Sequence, residues 1–281
     1  MFQTVGIVSK LDRKQALQLA NAITDVLHAK RLHVQLETNL AKHLKKPALA
    51  TPLEKMKTDL IITIGGDGTI LRTCLKLPKP EPPILAINMG ARGFLAEVAP
   101  KDALAAINQT LKGKYRLERT TKLASYLGKK RLPDALNEVS ITSLAPAKLL
   151  RMRIWKNSEL IGECQSDGAV VASQTGSTGY SLSAGGPVID PDVSAFVFTP
   201  IAPLTVFHPI VFSAKSTVHV ELQKSRKAVV VIDGHFPIET TPELSRVTIT
   251  KSENETSFIR FTGDFYHRLK GRLLFSEGRR R

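Results

Sequence analysis

Hydrophobic positions in the first hundred residues switch period several times. TVGIV (4–8) is a short apolar run that predicts a strand. Ala16, Leu19, Ala20, Ile23, Val26 and Leu27 then recur at helical spacing, with Asp12 placed to cap that helix. HVQLE (33–37) predicts a second strand. Residues 38–58 carry Pro47, Pro52 and several lysines and read as a loop with little regular structure. LIITI (60–64) is the β-branched run expected of a strand buried on both faces, and PILAIN (83–88) is another. Strands alternating with helices imply a parallel sheet covered by helices.

The texture changes near Pro100. PKDALAAINQTLKG (100–113) predicts one more helix, stopped at Gly113. From about Tyr115 to Ile259 short strands dominate: LLRMRIW, LIGEC, GAVVAS, TVHVEL, AVVVIDG, RVTIT and SFIRFT, with DG and NS turns among them. This is an all-β region. Phe265, Leu269 and Leu273 then fall at i, i+4 and i+8, predicting a short amphipathic helix over 264–275 that Gly271 weakens. No internal repeat is present. The expected fold is α/β plus all-β, an N-terminal Rossmann-like α/β domain followed by a β-rich, sandwich-like domain. The expected boundaries are 1–112, 113–262 and 263–281, the last a helix and basic tail.

Composition narrows the class. Hydrophobic content of 42% and charged content of 23% are ordinary for a globular protein. The formal net charge of +15 points to polyanionic partners or to a generally basic surface. Cys74 and Cys164 give neither a disulfide framework nor a zinc spacing. The first residues, MFQTVGIVSKLDRK, lack the pattern of a signal peptide. The uncharged stretch 194–214 is broken by Pro200, Pro203 and Pro209, which predicts short strands and turns rather than a membrane helix. The expectation is a protein of the reducing cytoplasm with no membrane partner.

The chemistry gathers in four segments. GGDGT (65–69) follows a buried strand and opens a helix, an architecture that presents backbone N–H groups to an anion. It matches neither the ATPase P-loop nor the dinucleotide fingerprint. Asp67 stands at the carboxyl end of a parallel strand, where such sheets bind ligands and a carboxylate can take a hydroxyl proton. An ordinary glycine turn is the alternative. NMGARGFLAEV (88–98) ends a neighbouring strand and reads equally as a plain loop. In LNEVSI (136–141), Asn137 can donate and accept, while Glu138 can accept from a ribose hydroxyl. SDGAVVASQTGSTGYSLSAGGPVIDP (166–191) interleaves glycines with hydroxyls. That composition disfavours regular structure and suits a wrapped phosphorylated ligand, with Tyr180 available for stacking.

GGDGT, NMGARGFL, LNEVSI, SDG…TGSTGYSLSAGGPVI, TPIAP and VIDGH recur in the order typical of the ATP-NAD kinase family, and over about residues 5–270 the sequence resembles it. GGDGT alone is shared with diacylglycerol and sphingosine kinases; the Asn-Glu and TGSTGYS segments are what single out this family. The resemblance implies a two-domain fold with the active site between the domains, a C-terminal helix returning to the first domain, and homodimers or homotetramers. It implies phosphoryl transfer from ATP, or polyphosphate, to the 2′-hydroxyl of the adenosine ribose of NAD, with a divalent metal, usually Mg²⁺.

By the same resemblance Asp67 is the proton acceptor, Gly68 lines its pocket and Arg72 neutralises phosphate. Asn137 and Glu138 hold the NAD, Lys148 reaches phosphates and Asp167 contacts the dinucleotide. Thr178, Gly179, Tyr180 and Ser183 wall the adenine and nicotinamide. Ala202 and His235, the latter in the turn 233–235, are further carry-overs. The sequence departs from the family pattern at Gly179, where alanine is usual, at Ser173-Gln174-Thr175 and at His208, where arginine is common. Donor preference and the choice between NAD and NADH stay open. The competing readings are a lipid kinase of the same superfamily, an inactive homologue, and a non-catalytic nucleotide- or nucleic-acid-binding protein. No aromatic–basic interleaving supports nucleic acid as a partner.

Overall fold

The computed structural model describes residues 2–90, 94–145, 148–223, 227–241, 244–261 and 265–269. They fall into two compact units, one formed by the residues up to Arg119 with those from Thr256 on, the other by residues 120–255.

The first unit alternates β1 (Thr4–Ser9), α1 (Lys14–Ala29), β2 (His33–Glu37), α2 (Thr38–His43), β3 (Ala50–Thr51), β4 (Leu60–Gly65), α3 (Asp67–Lys76), β5 (Ile84–Asn88) and α4 (Ala103–Leu111). The strands are parallel in the order β3-β2-β1-β4-β5. Every residue of β4 is buried, as its unbroken apolar run requires. Burying each large aliphatic side chain is worth about 1.5–3 kcal/mol. Ala16, Ala20, Ile23 and Leu27 place the inner face of α1 in the same core as Val5, Ile62 and Leu85. The order of connection reverses between β1 and β4, so the carboxyl end of β4 lies at the crevice where open α/β sheets take ligands.

Two local expectations fail. Asp12 does not cap α1; it pairs with Lys10 at 3.2 Å, and Arg13 takes the N-cap position. Residues 38–58 are not plain loop. The Glu37 carboxylate accepts from Leu40 N at 3.2 Å and starts α2, supplying the cap that the run of lysines conceals.

The second unit contains β6 (Arg116–Leu127), β7 (Lys130–Arg131), β8 (Glu138–Ser143), β9 (Leu150–Lys156), β10 (Glu159–Ser166), β11 (Gly168–Ala172), the single-turn α5 (Tyr180–Ser183), β12 (Ala195–Ile201), β13 (Ile210–Ser213), β14 (Val218–Gln223), β15 (Ala228–Ile232), β16 (Phe236–Glu239) and β17 (Arg246–Arg260). β6 starts before the unit boundary and β17 ends after it. One antiparallel sheet runs β13-β12-β11-β8-β15-β16, and a second set runs β10-β9-β14-β17. RVTIT and the SFIR of SFIRFT are parts of the one strand β17 rather than two. The uncharged stretch 194–214 becomes β12 and β13. Among the described residues no helix is long and apolar enough to cross a membrane.

After β17 comes α6 (Phe265–Leu269). The Phe265 ring meets Phe94 of the first unit edge-on, 5.3 Å between centroids. Residues 270–275 of the predicted helix, and the basic tail, lie outside the described residues.

Candidate functional site

In the first unit, Gly65 ends β4 and Asp67 is the first residue of α3. The glycines have different reasons. A β-carbon at Gly65 would lie 2.3 Å from the Thr69 hydroxyl, so this position is small for internal packing. A β-carbon at Gly66 would touch nothing within 4 Å. The Gly66 backbone is extended, so neither strain nor packing demands glycine there. What glycine leaves is open space in front of the helix N-terminus, where backbone N–H groups and the helix dipole favour an anion.

The Asp67 carboxylate is half-buried and held by backbone. Phe94 N donates to Oδ2 at 2.7 Å and Leu95 N donates to Oδ1 at 3.1 Å. These donors belong to the segment that follows NMG, whose weak motif thereby gains a function. Met89 N donates to Gly65 O at 2.8 Å, and Arg13 donates to Met89 O, tying the start of that segment to the end of β4. Gly68 is exposed on the first turn of α3 and Arg72 half-buried on its second. Arg72 makes no hydrogen bond or ion pair to a described residue, which leaves its guanidinium available to a phosphate.

In the second unit Asn137 and Glu138 stand at the start of β8. The Asp233 carboxylate clamps the chain around them. It accepts from Leu136 N at 2.7 Å, Asn137 N at 2.8 Å and Glu138 N at 3.0 Å. Asp233 itself adopts the left-handed region, φ 48°, and Gly234 follows at φ 68°. Burial pushes the Asp233 carboxyl above the usual carboxylate range, and the three N–H donors and Lys122 pull it back. Ser173 adds two bonds to the same stretch, Oγ to Leu136 O at 2.6 Å and N to Asn137 O at 2.8 Å.

The dipeptide so fixed ends in two buried atoms, Asn137 Oδ1 and Glu138 Oε2, with no hydrogen-bond partner among the described residues. The two side chains converge on Gly179. A β-carbon there would sit 3.6 Å from both Asn137 Nδ2 and Glu138 Oε2, and 3.3 Å from Gly176 O. Burial, with Asp233 nearby, pushes the Glu138 carboxyl up to about 8. A carboxyl so placed is a demand for donors that the described residues do not meet.

The glycine- and hydroxyl-rich segment divides its labour differently from the sequence expectation. Ser173, Ser177 and Ser181 are buried and bonded within the unit: Ser177 Oγ to Gln174 O at 2.6 Å, Ser181 Oγ to Thr199 Oγ1 at 2.8 Å. These bonds build the segment from within. Gly176 must be glycine, because a β-carbon would lie 2.0 Å from Asn137 O. Thr178 bonds its own turn, Oγ1 to Thr175 O at 3.1 Å, while Tyr180 and Ser183 are exposed.

Lys148, Asp167 and Ala202 do not join this group. Glu138 begins β8 and Ser143 ends it, a separation of about 16 Å. Asp167 and Ala202 belong to the Ser143 end: Ser143 N donates to Asp167 O at 3.3 Å and Asp167 N to Ile201 O at 3.0 Å. Ala202 is exposed with φ 45°, a left-handed conformation uncommon for alanine. Lys148 lines a groove of about 510 Å³ at that end with Ser143, Leu144, Ala145 and Lys227. His235 is exposed beside Asp233, its ring Nδ1 2.6 Å from Asp233 O.

A parallel α/β unit with an open helix N-terminus beside a backbone-held carboxylate, together with a β-rich unit whose buried polar atoms lack partners among the described residues, has the makings of a nucleotide-using phosphotransferase. Residues 5–115 match the model of the ATP-NAD kinase N-terminal domain and residues 136–261 that of the C-terminal domain. NAD kinase of Methanothermobacter thermautotrophicus is 38% identical over 273 residues, 96% of each chain. That of Pyrococcus abyssi is 39% identical over 272 residues, 95% of this chain and 98% of the relative. Among solved structures, an Archaeoglobus fulgidus NAD kinase in complex with ATP superposes with a TM-score of 0.78 at 30% identity, covering 95% of this chain and 97% of that one. The yeast NADH kinase complexed with NADH shares the fold, with a TM-score of 0.89 at 23% identity over 99% of this chain and 89% of that one. The chain belongs to the ATP-NAD kinase family, and it is a phosphotransferase of that family.

Proposed function

We propose that the protein transfers the γ-phosphoryl group of ATP to the 2′-hydroxyl of the adenosine ribose of NAD, giving NADP and ADP. The observation that carries the NAD half is the pair of unsatisfied buried atoms, Asn137 Oδ1 and Glu138 Oε2, poised over Gly179. An amide oxygen and a carboxyl are the complement of ribose hydroxyls and an amino-bearing ring edge. The open space at Gly66 before the α3 N-terminus, with Arg72 behind it, suits the donor's phosphates.

Phosphoryl transfer asks a protein mainly for positioning and charge neutralisation. Asp67 takes the hydroxyl proton as the ribose oxygen bonds to the γ-phosphorus and the bond to the ADP oxygen breaks. General-base assistance of this kind is worth about 10²–10⁴-fold. Phe94 N and Leu95 N fix the carboxylate for that task. Thr178, Gly179, Tyr180 and Ser183 line the dinucleotide, with Gly68 beside the base. Lys148, Asp167, Ala202 and His235 are outer contacts carried by the family resemblance.

Among the described residues no three His, Cys, Asp or Glu side chains converge on a metal position. Mg²⁺ needs no such cage, since it is held by one or two carboxylates with substrate phosphates and water. With ATP as donor, Mg²⁺ would come with the nucleotide and neutralise phosphate charge. A homo-oligomer, as the resemblance implies, working in the reducing cytoplasm that the sequence leads one to expect, completes the reading.

The test is direct. The protein is incubated with NAD, Mg²⁺ and either ATP or polyphosphate, and NADP is read with an NADP-specific dehydrogenase. Formation of NADP with ATP supports the proposal, and formation only with polyphosphate corrects the donor. No NADP from any donor overturns it.

A further inference from the structure

Arg260, the last residue of β17, is 1% exposed. A guanidinium is strongly hydrated in water, so a buried one must be answered by acceptors on every side. Glu118 takes Nε at 3.1 Å and Nη2 at 2.8 Å on one oxygen. Glu97 Oε2 lies 3.7 Å from Nη1, and the Phe258 ring lies under the guanidinium carbon at 4.8 Å. Nη1 also donates to backbone, to Leu95 O at 2.7 Å.

Leu95 is also a residue whose N–H holds Asp67. Its two backbone groups thus point at two charges, its carbonyl at a buried cation and its amide at the carboxylate. Glu97 reinforces the arrangement, since Phe261 N donates to its Oε1 at 3.2 Å. Val98 is bridged to Ile87 at the edge of β5. Residues 94–98 are therefore pinned from β5 and from the end of β17, and the position of the Asp67 carboxylate depends on that pinning.

We infer that Arg260 is a positioning residue for the base: through Leu95 it sets where the Asp67 carboxylate stands, without touching substrate. The inference rests on the proposed role of Asp67. A misplacement of about 1 Å at a reacting group can cost about 10²-fold in rate, so a residue that only aims the base has a large effect on kcat. The effect falls on kcat rather than on ligand affinity, since Glu118, Glu97 and the Leu95 carbonyl hold the guanidinium within the unit. Lysine is not equivalent here; a single ammonium cannot reach Leu95 O while occupying both directions toward Glu118.

The experiment measures steady-state kinetics of the full chain for wild type, Arg260→Lys, Asp67→Asn and the double variant. Wild-type turnover of NAD is measured first; its absence would sink the proposed function and leave the inference without a base to position. With turnover established, Arg260→Lys should lower kcat by about tenfold or more, with KM for NAD and ATP within about twofold of wild type. In the Asp67→Asn background the same change should alter kcat by less than about twofold, since the base it aims is already disabled. Wild-type kcat in Arg260→Lys overturns the inference. So does an equal fractional loss in both backgrounds, which is the signature of general structural damage. Should Arg260→Lys fail to fold, Glu118→Gln keeps the Leu95 bond but removes the charge that aims the guanidinium. It should lower kcat about threefold in the wild-type background alone, and unchanged kcat in folded Glu118→Gln overturns the inference.

Discussion

Replacing Glu138 by glutamine should reveal the cost of holding that carboxyl in place. Its environment raises it from 4.5 to about 8, burial first and Asp233 second. The sign follows from linkage. Below pH 4.5 the carboxyl is protonated in folded and unfolded chains alike, and its contribution to stability is fully present. As pH rises from there, the unfolded chain ionises while the folded one does not, so stability falls. The loss is complete once pH passes the folded value near 8. Each pH unit inside that window costs about 1.4 kcal/mol, so between pH 5 and 7.5 wild type should lose about 3 kcal/mol that Glu138→Gln does not lose. Glutamine has nearly the same shape, and any packing penalty it brings is independent of pH. At about 2–4 °C per kcal/mol the difference in melting temperature, variant minus wild type, should rise by about 6–12 °C over that range. Thermal melts of both proteins at half-unit pH steps, without ligand, are the assay. A difference that stays flat from pH 5 to 7.5, or narrows, would refute the assignment of a neutral buried carboxyl at Glu138.

Further outcomes follow from the same geometry. Asp67→Asn should keep its melting temperature within a few degrees and its NAD affinity within about threefold, while kcat falls by about 10²–10⁴-fold; ligand binding by calorimetry beside the coupled NADP assay separates the two. Gly66→Ala should leave the melting temperature nearly unchanged, because its β-carbon meets nothing, yet raise KM for ATP by filling the space before α3. Gly176→Ala, whose β-carbon would lie 2.0 Å from Asn137 O, should destabilise the protein by more than about 2 kcal/mol in urea unfolding. Asp233→Asn turns part of an acceptor for three N–H groups into a donor, and should weaken NAD binding at least tenfold by loosening the Asn137-Glu138 dipeptide.

The sequence made the fold visible where one period ruled. β4 and β5 are unbroken apolar runs, α1 has a regular inner face, and the change at Pro100 marks the approach to the β-rich region. It misled where long-range pairing decided the outcome. RVTIT and SFIRFT merge because KSENE between them, polar and turn-like in isolation, is carried through as part of one strand. Residues 38–43 become a helix because Glu37, at the end of a strand, caps it. At the candidate site GGDGT and the Asn-Glu pair could be picked out by residue type. What holds them could not. Asp233 is remote from Asn137 in the chain, and nothing in SFIRFT as a string singles out Arg260. Equally, hydroxyl-rich composition did not reveal that Ser173, Ser177 and Ser181 are consumed by internal bonds.

The Asp233 clamp also sets a timetable. Its partners lie 95 to 97 residues earlier in the chain. At about 5–20 residues per second, a ribosome that has completed Glu138 needs about 5–20 s more to deliver the carboxylate that fixes it. A nascent chain ending before Asp233 carries LNEVSI and the whole serine-glycine segment, yet lacks the group that orders their meeting point. The proposed dinucleotide reader is thus ordered only after Asp233 has been made.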